Sequence, residues 1–304
     1  MVPATAGHPQ YSGNFIPEIW SPLLNVKYYT ASIFPGIANT KYEGAIKNVG
    51  DIVNIRQRAD IDIRDYEKGM DLTVQKPDKP MITFPIRKAK YYAFTCDDID
   101  AHQTDINLME EWSQDAGEKL KIKIDAQGLG DVYANADTYN AGSTAGKISL
   151  DFDLGASGSP VQVTKENVLD FVVDMNTCLD EQDVPESQRW QAHPTWLINR
   201  MKKSDLKDVS MTGDSSSVVR HGRIGRIDNT DLHKSNQIKR VLDGSDYCYY
   251  PMAGHIDAIT FAAQMREMSS VESEKTFARI VRGLMVYDYK VLKEEALVTA
   301  YIKK

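Results

Sequence analysis

One stretch of the sequence decides the fold: Gly50-Asp-Ile-Val-Asn-Ile-Arg-Gln-Arg-Ala-Asp-Ile-Asp-Ile-Arg64. From Asp60 onward, charged residues alternate with isoleucine, which is the period-two pattern of a β-strand. A second β-like run extends from Met81 to Phe94. The residues between the two runs, 66–80, are polar and include three turn formers, Gly69, Pro77 and Pro80. The sequence therefore predicts a long β-hairpin.

The predicted hairpin is expected to project from the body of the protein. A strand from Asp51 to Asp65 would be about 50 Å long at roughly 3.3 Å per residue. A compact chain of this length has a radius of gyration of about 19 Å. A charged ribbon of that length is therefore accommodated more easily outside the core than within it.

The first 40 residues combine five prolines with scattered aromatic residues. Prolines at this density exclude a long helix, whereas the aromatic residues are too many for a disordered tail. This composition predicts an arm that becomes ordered against another surface. The alternative is an irregular leader that packs on its own domain.

A long amphipathic helix is predicted after Thr104, a candidate N-cap, and is expected to run to about Tyr133. Its apolar residues recur at spacings of three and four: Ile106, Met109, Trp112, Ala116, Leu120 and Ile124. Eight acidic residues lie between Asp97 and Glu118, with no Lys or Arg before Lys119. The first acids suit the positive N-terminus of a helix, and the simplest interpretation of the others is a solvated face.

An α/β lobe is predicted after a Gly- and Ser-rich connection at residues 140–160. Thr164 is a candidate cap for a helix whose apolar face is Val168, Phe171, Val172, Met175 and Leu179. Pro194 leads into a second helix over residues 195–206. Residues 283–292 and 296–302 are strand-like.

The composition is that of a globular protein, with 304 residues, 42% hydrophobic and 26% charged. The net charge of −7 disfavours a protein whose main task is to grip nucleic acid through a basic face. No apolar run approaches the roughly 20 residues that span a bilayer, and no secretory signal is recognisable, so no membrane partner is predicted. Three cysteines without a C-x-x-C pair, Cys96, Cys178 and Cys248, are interpreted as buried thiols of a reducing cytosol.

No motif predicts an enzyme, a cofactor or a metal. The six histidines lack zinc-ligand spacing, and Gly222-Arg-Ile-Gly225 lacks the ending of a phosphate loop. The segment Asp151-Phe-Asp153 begins like a calcium loop, but Gly155 stands where an oxygen ligand belongs. A basic segment runs from Arg220 to Arg240, and either contact with phosphate or pairing with an acidic neighbouring surface would suit it.

Four tracts carry a resemblance to a known family: Gly50 to Arg56, His193 to Leu206, Val219 to Ile227, and Ala258 to Gln264 followed by Phe277 to Tyr289. Together and in this order they resemble the major capsid proteins of tailed bacteriophages, which have the Hong Kong 97 capsid fold. The resemblance implies an α+β fold in five parts. These are an N-terminal arm at 1–40, an extended hairpin (E-loop) with its flanks at 41–98, a P domain with a spine helix at 99–163, a mixed α/β A domain at 164–280, and C-terminal strands at 281–304 that return to the P domain.

The resemblance implies a major capsid protein that assembles into pentamers and hexamers of an icosahedral shell around double-stranded phage DNA. Such a protein belongs to the virion and is assembled in the cytoplasm of the bacterial host. Its implied partners are further copies of itself, a separate scaffolding protein, a portal, a cement protein in some shells, and packaged DNA lying close by.

The arm and the hairpin are expected to supply intersubunit contacts through Phe15, Trp20, Tyr28, Tyr29, Tyr66, Lys68, Lys76 and Lys79. Glu110, Glu111 and Glu118 are expected to face the lumen, because a weakly repelling wall would let packaged DNA slide. Two alternatives are an encapsulin-like bacterial nanocompartment shell and, with less support, an α/β enzyme. The enzyme predicts a deep pocket with perturbed titratable groups.

Overall fold

The structure is a computed structural model that describes residues 32–42, 52–56, 59, 61–77, 81–97, 108–204, 225–272 and 278–304. The helices of these residues are α1 Phe34–Ile37, α2 Leu108–Val132, α3 Val168–Glu181 and α4 Thr195–Met201. Single 3-10 turns lie at Tyr133–Asn135, Thr138–Asn140 and Glu294–Ala296.

The described strands are β1 Ile52–Arg56, β2 Met81–Pro85, β3 Lys88–Asp97, β4 Val161–Gln162, β5 Arg189–His193, β6 Arg226–Ile227, β7 Thr230–Lys234, β8 Arg240–Asp243, β9 Asp246–Tyr249, β10 Met252–His255, β11 Ile259–Glu272, β12 Ala278–Val291, β13 Leu297–Thr299 and β14 Ile302–Lys303. They form sheets with the orders β1-β2, β13-β10-β5-β7-β6, β11-β12-β3 and β4-β14-β9-β8. Only the pairs β5/β7 and β4/β14 of these sheets are parallel. This mixture of helices and mainly antiparallel sheets confirms the predicted α+β class.

The predicted long hairpin is wrong in its pairing. β1 and β2 pair over five residues, from Ile52 opposite Pro85 to Arg56 opposite Met81, and residues 61–77 form no strand. The β-like run after Met81 divides beyond Pro85, which has no N–H to donate to a ladder. Its second part, β3, pairs with β12 instead. The result is a short ladder that carries a long loop.

The three-stranded sheet connects this ladder to the long helix. One face packs against β1 and β2 through a buried cluster of Ile55, Phe84, Ile86, Ala262 and Val286. On the other face, the Tyr287 hydroxyl donates to Gln127 Oε1 of α2 at 2.7 Å. The sheet therefore lies between the base of the loop and the helix.

Helix α2 confirms the predicted long helix, but of the predicted apolar face only Leu120 and Ile124 are buried among the described residues. It ends at Val132, one residue before the predicted end, while the predicted cap Thr104 lies outside the described residues. Its C-terminal half is buried through Leu120, Ile124, Leu129 and Val132, whereas Trp112 near its start is partly exposed. The core therefore holds the helix mainly by its second half.

The α/β lobe contains both predicted helices, with two corrections. α3 buries Val168, Phe171, Val172, Met175 and Leu179 as predicted, but its N-cap is Asn167. The Thr164 N–H instead donates to Asn167 Oδ1 at 2.6 Å, so Thr164 stabilises the cap from outside. α4 ends at Met201 rather than at residue 206, because the chain turns there and the Ser204 hydroxyl donates to the Met201 carbonyl at 2.5 Å.

The C-terminal strands join three different sheets. β12 pairs with β3, β13 pairs with β10, and β14 pairs with β4 and β9. The domain boundaries remain predictions. Cys178 and Cys248 are buried free thiols, as expected, and the side chain of Cys96 lies outside the described residues.

Candidate assembly surfaces

The loop between β1 and β2, residues 57–80, is named the projecting loop, and its described residues 61–77 are all exposed. It turns at Gly69, whose φ is 92°, and the Met70 N–H donates to the Glu67 carbonyl at 3.1 Å. Across the loop, the Asp62 N–H donates to Gln75 Oε1 at 3.0 Å. The two sides of the loop are therefore linked by a side chain rather than by a β-ladder.

The projecting loop exposes six large apolar side chains: Ile61, Ile63, Tyr66, Met70, Leu72 and Val74. Ile63 is 97% exposed and Val74 is 90% exposed. Fully burying one such aliphatic side chain is worth roughly 1.5–3 kcal/mol. A concentration of exposed large apolar residues typically marks an interaction surface.

The predicted contact residues of this loop fall on its exposed surface. Tyr66, Lys68 and Lys76 are all exposed, with Lys68 in the turn, and Lys79 lies outside the described residues. Leu72 and Val74 were not predicted as contact residues, because residues 66–80 are polar on average. Their spacing of two residues, which places both side chains on one side of an extended segment, was the signal that could have identified them.

The predicted contacts of the arm, Phe15, Trp20, Tyr28 and Tyr29, lie outside the described residues. The described chain begins at Ser32, where α2 binds it. The Oδ1 atom of Asp125 accepts hydrogen bonds from the Ser32 hydroxyl at 3.0 Å and from the N–H groups of Ile33 at 2.9 Å and Phe34 at 2.7 Å. One buried carboxylate on α2 thus fixes the chain at this point.

The buried environment of Asp125 disfavours the charged form of its carboxyl group. Burial raises the pKa of this carboxyl, and the three hydrogen bonds counteract that rise only in part. Its Oδ2 atom is buried without a hydrogen-bond partner among the described residues. The hydrogen bonds to residues 32–34 therefore come with an unfavourable desolvation of the carboxylate.

Phe34 packs directly after this hydrogen-bonded site. Its ring is fully buried and meets Phe261 and Tyr289 edge to face, with ring centroids 5.4 and 5.5 Å apart. A Cβ atom at Gly128 would lie 2.8 Å from the Phe34 ring. Glycine at position 128 of α2 is therefore required for this ring to approach the helix.

The acidic residues of α2 are partly neutralised within the chain. Glu118 pairs with Lys121 at 2.7 Å, and Asp115 pairs with Lys119 at 2.7 Å. Glu111 is half-buried, and the side chain of Glu110 lies outside the described part of the helix. Because lysines of the same helix follow the acids, the local field is weaker than the acid count of the sequence indicated. The predicted lumenal position of Glu110, Glu111 and Glu118 remains a prediction.

An open groove of about 590 Å³ runs beside β3 along the first half of α2. Its apolar walls include Phe94 and Trp112, whose ring centroids are 5.8 Å apart at 84°, and Lys119 and Lys123 also line it. β3 has a hydrogen-bonded partner on one side only among the described strands. The groove is thus an apolar surface with cationic residues beside an open strand edge.

The basic segment predicted at Arg220 to Arg240 is described from residue 225 onward. Arg226 pairs with Asp231 at 2.5 Å, and this hydrogen bond lowers the pKa of the Asp231 carboxyl. The Arg240 guanidinium lies 4.5 Å from the centroid of the Tyr247 ring. These two cations have partners within the chain.

Two strongly perturbed titratable groups, His193 and Cys178, lie in the core of the lobe. Burial lowers the pKa of His193 to about 3 and raises that of Cys178 to about 12. The His193 ring interacts through Nε2 with Gln191 Oε1 at 2.7 Å, and Gln191 Nε2 donates to Asn176 Oδ1 at 3.0 Å. This buried network connects β5 to α3, so the perturbed pKa of His193 has a structural cause.

The described residues contain neither a metal-binding group nor a membrane-spanning helix. No group of three His, Cys, Asp or Glu side chains among them is placed to hold a metal ion. None of the described helices is both long enough and apolar enough to cross a membrane.

Comparison with known proteins gives structural relatives only. No protein-family model and no curated protein matches the sequence. A chain from Mycobacterium phage Che8 superposes with a TM-score of 0.77 at 22% identity, over 94% of this chain and 97% of that chain. A chain in the capsid structure of cyanophage P-SCSP1u gives a TM-score of 0.71 at 12% identity, over 95% and 93%. A chain in the mature capsid of bacteriophage PhiM1 gives 0.66 at 12% identity, over 94% and 91%.

The chain therefore has the fold of bacteriophage capsid chains. The similarity extends over nearly the whole length of both partners in each comparison. The predicted resemblance to the major capsid proteins of tailed bacteriophages is confirmed at the level of the fold.

Proposed function

We propose that this chain is the major capsid protein of a tailed bacteriophage. It assembles into pentamers and hexamers of an icosahedral shell that encloses the double-stranded DNA genome. The observation that carries the proposal is the match to capsid chains over nearly the whole chain. The exposed apolar residues of the projecting loop give that match a physical reason.

The projecting loop cannot bury its own side chains. Ile63 and Val74 lie before and after the turn of the loop. No other described element packs against them, and both are at least 90% exposed. A second copy of the chain offers an apolar surface of its own in the groove beside β3. Burial of the loop in that groove would provide a driving force for association.

A contact between the loop of one copy and the groove of the next joins two different surfaces. Such a heterologous contact leaves a free loop and a free groove on every pair, so copies add until a ring closes. Rings of five and six copies are the units from which an icosahedral shell is built. The shape of the loop thus supports self-assembly into closed rings.

The remaining partners follow from this role. A scaffolding protein encoded separately, a portal and, in some shells, a cement protein would act with the chain. The shell would be assembled in the bacterial cytoplasm and become part of the virion, with no cofactor and no catalysed reaction.

The proposal is tested by expressing the full chain and following its assembly by sedimentation velocity and electron microscopy. Closed icosahedral shells are the expected product. A chain that stays monomeric at high concentration, with crowding agent and at low and high salt, would overturn the proposal. Shells that purify with an enzyme as cargo and exclude DNA would favour the encapsulin-like compartment instead.

A further inference from the structure

A small pocket beside α4 has features of a binding site for a negatively charged group. It has a volume of about 480 Å³ and is open to solvent. Trp196, Arg200 and Lys203 line it from α4 and the turn that follows. Spacings of four and three residues place these side chains on one face of the helical segment. Lys165 and Lys304 contribute from distant parts of the sequence.

The pocket has an excess of positive charge. Its lining contains four cationic side chains and one acid, Glu166. That acid pairs with Lys165 at 3.2 Å. Arg200, Lys203 and Lys304 form no ion pair with any of the described residues. Three cations without an ion-pair partner among the described residues are therefore gathered in one place.

Two hydrogen-bond donors at this site are buried without an acceptor. They are the Nη1 atom of Arg200 and the Nε1 atom of Trp196, neither of which has a partner among the described residues. Buried polar groups in native structures are nearly always hydrogen-bonded. The described residues therefore leave two donors at this site without an acceptor.

The geometry of the pocket is fixed in advance. The Arg200 guanidinium lies 5.1 Å from the centroid of the Trp196 ring, and that ring meets Tyr249 edge to face with centroids 5.7 Å apart. Stacking restricts the rotamers of both donors, so little conformational freedom is lost when a ligand binds. A planar guanidinium with an ammonium beside it suits a carboxylate or a phosphate.

We propose that this pocket binds a carboxylate side chain of a second copy of the chain. The inference rests on the proposed shell, in which each copy is surrounded by others. Each copy carries 43 Asp and Glu residues against 36 Lys and Arg residues, so neighbouring copies supply carboxylates in excess. The same net charge opposes a polyanion such as DNA. The contact would fix the register between neighbouring subunits rather than drive their association.

Two substitutions test the site, with a matched control. Lys203→Glu and Arg200→Gln remove cations from the pocket, whereas Lys202→Glu makes the same charge change on a neighbouring residue that does not line it. Loss of a charge-assisted contact repeated around a ring is expected to raise the critical concentration for assembly by about tenfold or more. The Lys202→Glu variant is expected to assemble like the wild type. Shell fraction is measured by sedimentation over a series of chain and salt concentrations.

The outcomes distinguish failure of the proposed pocket from failure of the proposed shell function. If the wild type forms shells and both pocket variants form them at the same concentrations, the site is wrong and the proposed function stands. If the wild type forms no shells, the proposed function itself fails. If the variants assemble normally as empty shells but the free chain loses binding to duplex DNA in a filter assay, the ligand is a phosphate and the proposed occupant is overturned. Thermal unfolding of the free chains confirms that each variant is folded, and Lys203→Glu, at an exposed position, decides the question if Arg200→Gln is unstable.

Discussion

Replacing the two most exposed aliphatic residues of the projecting loop should strongly weaken assembly without affecting the fold. Ile63 and Val74 are 97% and 90% exposed in the isolated chain, so Ile63→Ser with Val74→Ser removes no internal packing. If both side chains become buried on a neighbouring copy, their loss costs about 3–6 kcal/mol per contact at roughly 1.5–3 kcal/mol each. Since each 1.4 kcal/mol is a factor of about ten, the critical concentration for assembly should rise by about 100-fold or more.

The assay compares shell formation and thermal unfolding for three chains. Ile148 is also exposed, at 78%, but lies on a different loop, so Ile148→Ser is the matched control for loss of one exposed isoleucine. We expect the control to assemble like the wild type and all three chains to unfold at the same temperature. A double variant that forms normal shells at wild-type concentrations would refute the assignment of the projecting loop as an intersubunit contact.

The remaining predictions concern the loop tip, the arm, Asp125 and the acids of α2. Deletion of residues 68–79 should leave a folded chain that does not assemble. Residues 1–31, with Phe15, Trp20, Tyr28 and Tyr29, should be protected from protease in shells but cut in the free chain. Equal cleavage in both states would show that the arm packs on its own domain. Asp125→Ala should destabilise the chain by about 2–6 kcal/mol in chemical denaturation, since the two buried N–H groups of Ile33 and Phe34 lose their acceptor at a cost of roughly 1–3 kcal/mol each. Because burial raises the pKa of Asp125 in the folded state, its ionisation opposes folding, so wild-type stability should fall as pH rises from the ordinary carboxyl pKa to the raised one. Asp125→Asn keeps an acceptor and should lack that pH dependence; an identical pH profile in this variant would contradict the assignment. A shell structure should place Glu110, Glu111 and Glu118 on the inner wall, and finding all three on the outer surface or in ion pairs between subunits would exclude a lumenal role.

The local spacing of apolar residues predicted the elements that form hydrogen bonds with residues near in sequence or that bury only one face. The spacing of Leu120 and Ile124 correctly indicated a helix, because a helix satisfies its own backbone hydrogen bonds. The alternation at Ile61 and Ile63 is the pattern of a β-strand, yet a strand also requires a neighbouring strand with which to form hydrogen bonds. The pattern there identified exposed apolar residues rather than a β-ladder.

Long-range contacts account for what the sequence did not predict. Asp125 reads as one more acid on a long helix, and its partners lie 91 to 93 residues away. The α4 pocket similarly joins Arg200 to Lys304, which are remote in the sequence but line the same site. No local spacing encodes either contact, because each depends on how separate elements pack.

The exposed apolar residues of the projecting loop also create a hazard before any shell forms. β-prone apolar segments that carry little charge tend to aggregate by stacking as strands. In this loop charged residues separate several of the apolar ones: Asp62 lies between Ile61 and Ile63, and Asp71 lies between Met70 and Leu72. Interleaved charges of this kind oppose edge-to-edge aggregation. The same loop can therefore remain soluble while copies accumulate and still bind once a complementary surface is presented.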